Sequence, residues 1–339
     1  MNLINLIKYI YLPKDADSLE RSNFKIDGIN CSINNFGNKN KRKYFYIIKR
    51  DKGSGFFSNF YFVLNHLKIA SKFNFIPFVD MKTFKTIYNE KTGILKNINA
   101  WEYYFHQVSN FKIQEIYKSK NVFISNNLLP KNTNFQWDKD IFLKRAFKKY
   151  IRIKSNYIKE SDNFAKNNFK KKTLGVHFRG TSYKTAKNHN FQPNVKIMIN
   201  LIEKIFIKYN YKKIFIITEE KKYLNSVLKK FEEKVVYYNS YRSYKNDAFK
   251  IYPRKNHRYN LGKEALIETL IMSKCDGILS TTTNVTEAAK FLSKKKQNIH
   301  YVFLGTNSSN KYIAKFLWYL KSLLPQFLGG LKIFKSKNC

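Results

Sequence analysis

Cysteine is scarce in this chain. There are three in 339 residues, Cys31, Cys275 and Cys339, odd in number and far apart. That excludes a disulfide framework and paired metal-ligand spacing, and it points to a reducing compartment. No apolar run is long enough to cross a bilayer, and the segment 1–13 is too short and too interrupted by Asn and Lys for a signal peptide. A cytoplasmic protein is therefore expected. HExxH, paired CxxC and Walker A sequences are missing, and Gly53-x-Gly55 lacks the third glycine and the acidic residue of a dinucleotide fingerprint.

Acidic residues are also few: 23 Asp and Glu face 64 Lys and Arg, a net charge of +41. Lys dominates, with Asn, Ile, Phe and Tyr plentiful, as an AT-rich genome would encode. The lysines are scattered through helices, strands and loops rather than gathered in a stripe or tail. That scatter argues against a nucleic-acid binder. A basic surface still suits anionic partners such as nucleotide diphosphates and acidic lipid headgroups. Residues 311–335 mix Phe316, Leu317, Trp318, Leu320, Leu323 and Leu324 with Lys315 and Lys321. This reads as an amphipathic helix ended by Pro325, lying on a membrane surface or packed on a domain.

At this length about two domains are expected. Tyr44–Ile48 reads as a strand, Asp51–Asn59 as a glycine-containing loop, the following residues as a helix and Ile76–Asp80 as a strand. Residues 138–170 read as helical and basic. The second half alternates regularly: strands at Leu174–Phe178, Ile214–Thr218, Val235–Tyr238, Gly277–Ser280 and Ile299–Leu304, with helices at Val195–Tyr209, Lys221–Phe231, Gly262–Lys274 and Asn284–Ser293. Such alternation predicts parallel sheets with helices on both faces and ligands at the carboxyl ends of the strands. The expected architecture is α/β, two Rossmann-like domains facing across a cleft, at 1–150 and 151–310, with a C-terminal helix and basic tail at 311–339.

Three groups of residues suit chemistry at those strand ends. In His177-Phe178-Arg179-Gly180-Thr181, His177 and Arg179 share one face of a strand. Arg179 offers a planar fork for phosphate oxygens, and Gly180 permits close backbone approach. In Ser280-Thr281-Thr282-Thr283-Asn284, hydroxyls and the N–H groups of a helix start form an anion cradle, beyond the single hydroxyl that a cap needs. Glu264 and Glu268 lie four apart on one helix face, and a buried carboxylate there can accept from the paired N–H donors of guanine.

The order and spacing of these motifs resemble the fucosyltransferase-like superfamily: the His177–Thr181 strand end, a strand ending in Thr218-Glu219-Glu220, then Glu268 ahead of Ser273-Lys274-Cys275-Asp276 and the Ser/Thr run. Gly55-Phe56-Phe57-Ser58-Asn59 looks like that family's glycine-rich loop. The resemblance covers residues 44–305. It implies a GT-B-type fold and an inverting transfer from a GDP-sugar, fucose or a relative, with no metal and no other cofactor. It places Arg179 on the β-phosphate, His177 and Glu268 on the guanine side, and Thr282, Thr283 and Asn284 over the diphosphate or sugar. Asn59 and Gly55 would approach from the other domain.

The chain departs from the family pattern at Ser182, where Asp is usual, and at Gly180, where some members carry a second Arg. The acceptor-activating carboxylate of some members falls near Lys184 and Lys187. His189 is then the candidate base by residue type, with His66 a weaker one. Two Asp-x-Asp triplets, Asp15–Asp17 and Asp138–Asp140, resemble the metal motif of other transferases, but the second suits a helix cap. The acceptor expected is a glycan, lipid-linked and destined for surface polysaccharide or lipopolysaccharide, met at the inner membrane face, with the C-terminal helix touching the membrane. The rival expectations are an ADP-sugar (heptosyl-like) transferase of the same fold, a non-catalytic basic protein for nucleic acid or membrane, and an inactive relative.

Overall fold

A computed structural model describes residues 23–334 apart from 27, 95, 131, 132 and 246. The chain separates into two compact units, Met1–Lys154 and Ser155–Cys339. The break lies four residues beyond the expected one, and the C-terminal helix belongs to the second unit.

The first unit runs β1 (Asn23–Ile26), β2 (Ile29–Asn34), β3 (Lys39–Lys49), α1 (Phe56–Lys72), β4 (Ile76–Asp80), α2 (Trp101–Tyr104), α3 (Ile113–Ile116), β5 (Ser119–Ile124) and α4 (Ile141–Tyr150). The anticipated strand, glycine loop, helix and strand are β3, α1 and β4, and the two strands pair in parallel. Phe45, Tyr46, Ile47 and Ile48 are buried because β3 lies inside the sheet order β1-β2-β5-β3-β4. β5 joins β3 in parallel, while β1 and β2 add an antiparallel edge. The sheet thus has a parallel core with a hairpin appended, a detail the periodicity did not resolve. α1 is buried nearly all round, as a helix covered on more than one side must be.

The second unit runs α5 (Ser155–Asn168), β6 (Thr173–His177), α6 (Val195–Lys208), β7 (Lys213–Ile217), α7 (Lys221–Phe231), β8 (Val235–Val236), α8 (His257–Met272), β9 (Gly277–Ser280), α9 (Asn284–Leu292), β10 (Asn298–Tyr301) and α10 (Lys311–Leu323). Its five strands pair wholly in parallel, in the order β10-β9-β6-β7-β8. Counted within the unit this is the doubly wound order 3-2-1-4-5, so the chain changes direction across the sheet between β6 and β9. The core joins Leu174, Val176, Ile214 and Leu279 of the strands to Met198, Ile202 and Val227 of the helices.

Three elements differ from expectation. The helical run expected over 138–170 is two helices, because the backbone at 152–154 pairs instead with residues 104–106: His106 N–H donates to Arg152 O (2.9 Å) and Lys154 N–H to Tyr104 O (3.1 Å). β8 stops at Val236 because the chain beyond it leaves the sheet to contact α8 and the end of β7. α8 begins at His257 rather than Gly262, with the buried His257 ring on Ala248 O (2.7 Å).

Candidate functional site

β6 and β9 are the two strands flanking the switch in winding, and each delivers one expected motif at its carboxyl end. His177 is buried at the last position of β6, with its Nδ1 3.1 Å from Thr283 Oγ1. Burial, helped by the nearby Arg179 charge, lowers its pKa to about 4, so the imidazole is neutral at pH 7. Phe178 points the other way and stacks on Tyr223 at 3.9 Å between ring centroids. Arg179 returns to the His177 side, as strand alternation requires. Its Nε lies 3.2 Å from Glu219 Oε1, an ion pair without hydrogen-bond alignment, so Nε is a buried donor with no hydrogen-bond acceptor. The guanidinium also lies 4.4 Å above the Tyr183 ring, whose centroid is 4.8 Å from that of His189.

His189 is exposed, yet partial desolvation and the Arg179 charge both lower its pKa. A neutral imidazole close to Arg179 has the protonation state a general base needs at pH 7. His66 is in a different situation. It is buried in the first unit, Nδ1 against Tyr46 Oη (2.8 Å) and Nε2 against Leu128 O (3.1 Å), and burial lowers its pKa to about 3. With both ring nitrogens occupied it is a structural side chain.

Gly180 is where close packing excludes a side chain. An added Cβ would lie 2.2 Å from Glu220 Oε1. Glu220 is held there by Lys184 (2.5 Å), whose ammonium also lies over Tyr223 and Trp318. The space that a second arginine would need is thus filled by a Glu220–Lys184 pair. Gly180 N–H donates to Glu219 Oε1 (3.3 Å).

At the end of β9 the Ser/Thr run is less of a cradle than its composition suggests. Ser280, Thr281 and Thr283 are buried and bonded inward: Thr286 Oγ1 donates to Ser280 Oγ (2.7 Å), Thr281 Oγ1 to Gln192 Oε1 (2.8 Å), and Thr283 caps α9 by accepting from Thr286 N–H (3.2 Å). Thr282 is exposed, and the half-buried Asn284 has an Oδ1 without a hydrogen-bond donor. Thr282 and Asn284 are therefore the members of the run not bonded inward, and Thr283 is the cap of α9.

Glu264 and Glu268 sit on one face of α8 as expected, but that face is buried and each has an arginine that sequence reading missed. Arg254 holds Glu264 with two bonds (2.5 and 2.8 Å). Arg242 Nη2 donates to Glu268 Oε1 (3.1 Å), with both side chains more than nine-tenths buried. Burial raises the Glu268 carboxyl to about 8 against the opposing Arg242 charge, and Glu264 and Glu219 push in the same direction as burial. The only signal for these partners was two arginines in the loop before α8.

Residues 238–245 form a strap that ties these parts together. Ser243 N–H donates to Glu219 O (3.0 Å) and Ser243 O accepts from Lys221 N–H (3.1 Å). Tyr241 N–H donates to Glu264 Oε2 (3.1 Å), and Arg242 Nη1 and Nη2 also donate to Ser240 O and Tyr238 O. Glu219 is near enough to influence both His177 and Glu268.

In the first unit, Gly55 caps α1, and a Cβ there would meet open space. Asn59 is buried and both ends of its amide are engaged within the loop. Oδ1 accepts from Arg50 Nε (3.2 Å) and Ser54 N–H (2.8 Å), and Nδ2 donates to Ser54 O (3.0 Å). Gly53, at φ +60°, lies so close that a Cβ would come within 2.8 Å of Asn59 Oδ1. Asn59 thus shapes the glycine loop and holds Arg50. A small, mostly apolar crevice beside it is lined by Phe56, Phe60, Tyr88, Trp101 and Tyr104.

Asp140 caps α4 by accepting from Leu143 N–H (2.9 Å) and pairs with Lys68 (2.6 Å), so the second Asp-x-Asp is structural. The first, with Asp15 and Asp17, lies outside the described residues, as does Cys339. Among the described residues no cluster of three His, Cys, Asp or Glu has metal-site geometry. Cys31 and Cys275 are buried free thiols.

No protein-family model matches the sequence, and no curated protein matches it. Among solved structures the chain is similar to NodZ alpha-1,6-fucosyltransferase co-crystallized with GDP, at 14% identity, covering 78% of this chain and 96% of that one with a TM-score of 0.49. It is also similar to fucosyltransferase NodZ from Bradyrhizobium, at 14% identity, 75% and 94% coverage and a TM-score of 0.45. For POFUT1 in complex with GDP-fucose the values are 11%, 78% and 74%, and 0.36.

Proposed function

We propose that the chain is a fucosyltransferase-like glycosyltransferase that takes its sugar from a GDP-sugar and transfers it with inversion. The observation that carries this reading is the meeting, where the winding of the second sheet switches, of the strand end that bears the phosphate-type Arg179 with the start of α9, joined by the His177–Thr283 contact. In this reading Arg179 and the first N–H groups of α9 receive the diphosphate. Thr282 and Asn284 flank it, the amide able to turn its carbonyl to a sugar hydroxyl or its N–H₂ to a phosphate oxygen. Glu268, as the anion, accepts from guanine, beside neutral His177.

The acceptor hydroxyl attacks the anomeric carbon, the bond from that carbon to the β-phosphate oxygen breaks, and GDP leaves as the anion. Arg179 and the α9 N-terminus stabilise the charge that develops on it. The acceptor proton passes to His189. The first unit, with its glycine loop and aromatic crevice, serves the acceptor side. The acceptor is a glycan on a lipid carrier, met at the cytoplasmic face of a membrane during surface-polysaccharide synthesis.

The test is a thermal-shift panel of GDP, UDP, ADP, CMP and their sugars. GDP and GDP-sugars should raise Tm, and the others should not. Arg179→Ala should weaken GDP by about 10-fold to over 100-fold, the loss of a charged hydrogen bond of about 1.5–3 kcal/mol. A preference for ADP would favour an ADP-sugar donor. A folded sample that responds to no nucleotide would sink the proposal.

A further inference from the structure

α10 is apolar on two opposite sides. Ala314 and Trp318 are buried, and Trp318 Nε1 donates to Gln192 O (2.7 Å). The opposite side carries Tyr312, Phe316, Tyr319 and Leu323, at the 4-3-4 spacing of a single helical stripe, and all four are exposed. The turn after the helix adds two more exposed apolar side chains, Phe327 and Leu328. Leu323 and Phe327 are each 85% exposed. A helix docked by one face should turn a polar face to water, and contiguous exposed apolar surface marks an interaction site.

The charge around the stripe identifies what covers it. From Ala288 onward the sequence holds no Asp or Glu, so no acidic side chain of α10 or of the turn after it opposes the lysines there. Lys311 and Lys315 flank the stripe, and Lys332 is exposed beyond the turn. A second copy of the chain would bring its own +41 charge to the same face. A nucleic acid would satisfy the lysines and could stack bases on the rings, but it offers no apolar phase for the aliphatic Leu323, which is 85% exposed, or for Leu328. An anionic bilayer answers both features: headgroup charge for the lysines and an acyl boundary for the leucine and aromatic rings. Among the described residues no helix is long and apolar enough to cross a membrane, so the contact is one of lying on the surface.

We propose that the outer face of α10 and the turn after it form a docking surface for an anionic lipid bilayer. The helix's buried face packs on the turn Thr181–Thr185, and the chain leading into it bonds to the same loop. Asn307 N–H donates to His189 O (2.8 Å) and Asn188 N–H to Ser308 O (3.2 Å). A bilayer held by α10 is therefore separated from the loop that carries His189 by the helix itself, about 10 Å across, a distance that a lipid-linked acceptor could span. This consequence rests on the transferase reading; the docking does not.

Vesicle flotation of the full chain tests it. Partition into phosphatidylcholine vesicles with about a third phosphatidylglycerol should be at least about 10-fold stronger than into phosphatidylcholine alone, and should weaken with salt. The double variant Leu323→Glu, Phe327→Glu should lose about 10-fold or more of that partition. It should keep wild-type circular dichroism, Tm and GDP response, since both side chains point into solvent. Equal partition into both vesicles would overturn the proposal, as would a folded variant that binds as well as wild type. So would a concentration-dependent dimer that the variant abolishes, or vesicle binding that nuclease treatment removes.

Discussion

Glu268 is held between two opposed influences: burial favours its neutral form, and Arg242 its anion. With the carboxyl raised to about 8, the fold is most stable below the ordinary carboxyl range, and this contribution is lost as pH rises toward 8. If the proposed guanine contact needs the anion, GDP affinity should rise more steeply than ADP affinity between pH 6 and 8, phosphate ionisation being common to both, as calorimetry at several pH values would read. Glu268→Ala should weaken GDP by about 1.5–3 kcal/mol and leave ADP unchanged; equal weakening of both would reject the base-reading role. Arg179, His177 and Glu268 were legible in the sequence because strand ends and helix faces have fixed periods. Arg242 and Arg254 were not, since they lie in a loop and their pairings with Glu268 and Glu264 follow no period. Asn59 shows the converse limit. Its residue type suggests a ligand contact, but only coordinates reveal that both ends of its amide are bound within the loop.

Elements with strong periodicity, such as α7 and β9, have the bounds their patterns predict. Elements whose backbone is recruited from far away do not. The interruption at 151–154 depends on residues 104–106, and the early end of β8 on a strap that leaves the sheet. Capping belongs to this scale. Thr283→Ala removes the α9 cap and should cost about 1 kcal/mol, seen as a lower denaturation midpoint together with weaker GDP binding, because the α9 N–H groups lose their orientation. Gly180→Ala drives a methyl into Glu220 and the Tyr223 ring and should cost about 1–3 kcal/mol, read in chemical denaturation; a variant as stable as the wild type would show that both neighbours yield.

At the scale of the molecule, the parallel pairing of the strands followed from strand–helix alternation, while the hairpin added to the first sheet did not. The +41 charge acts on the whole chain. Self-repulsion should lower Tm in dilute buffer, and added salt should raise it as the screening length falls from about 30 Å at 0.01 M to about 10 Å at 0.1 M. A Tm that ignores salt in calorimetry would show that the lysines are spaced beyond mutual influence. The 238–245 strap also works at this scale, as a lever. One end bonds to Glu219, the partner of Arg179, and the other carries the clamp on Glu264 and Glu268. Under the proposed function, a diphosphate that draws Arg179 off the Glu219 carboxylate would disturb the residue whose backbone anchors the strap, and the two halves of a nucleotide should be felt as one event. Guanosine and pyrophosphate offered separately should then each bind more weakly than their share of GDP, and together they should help one another.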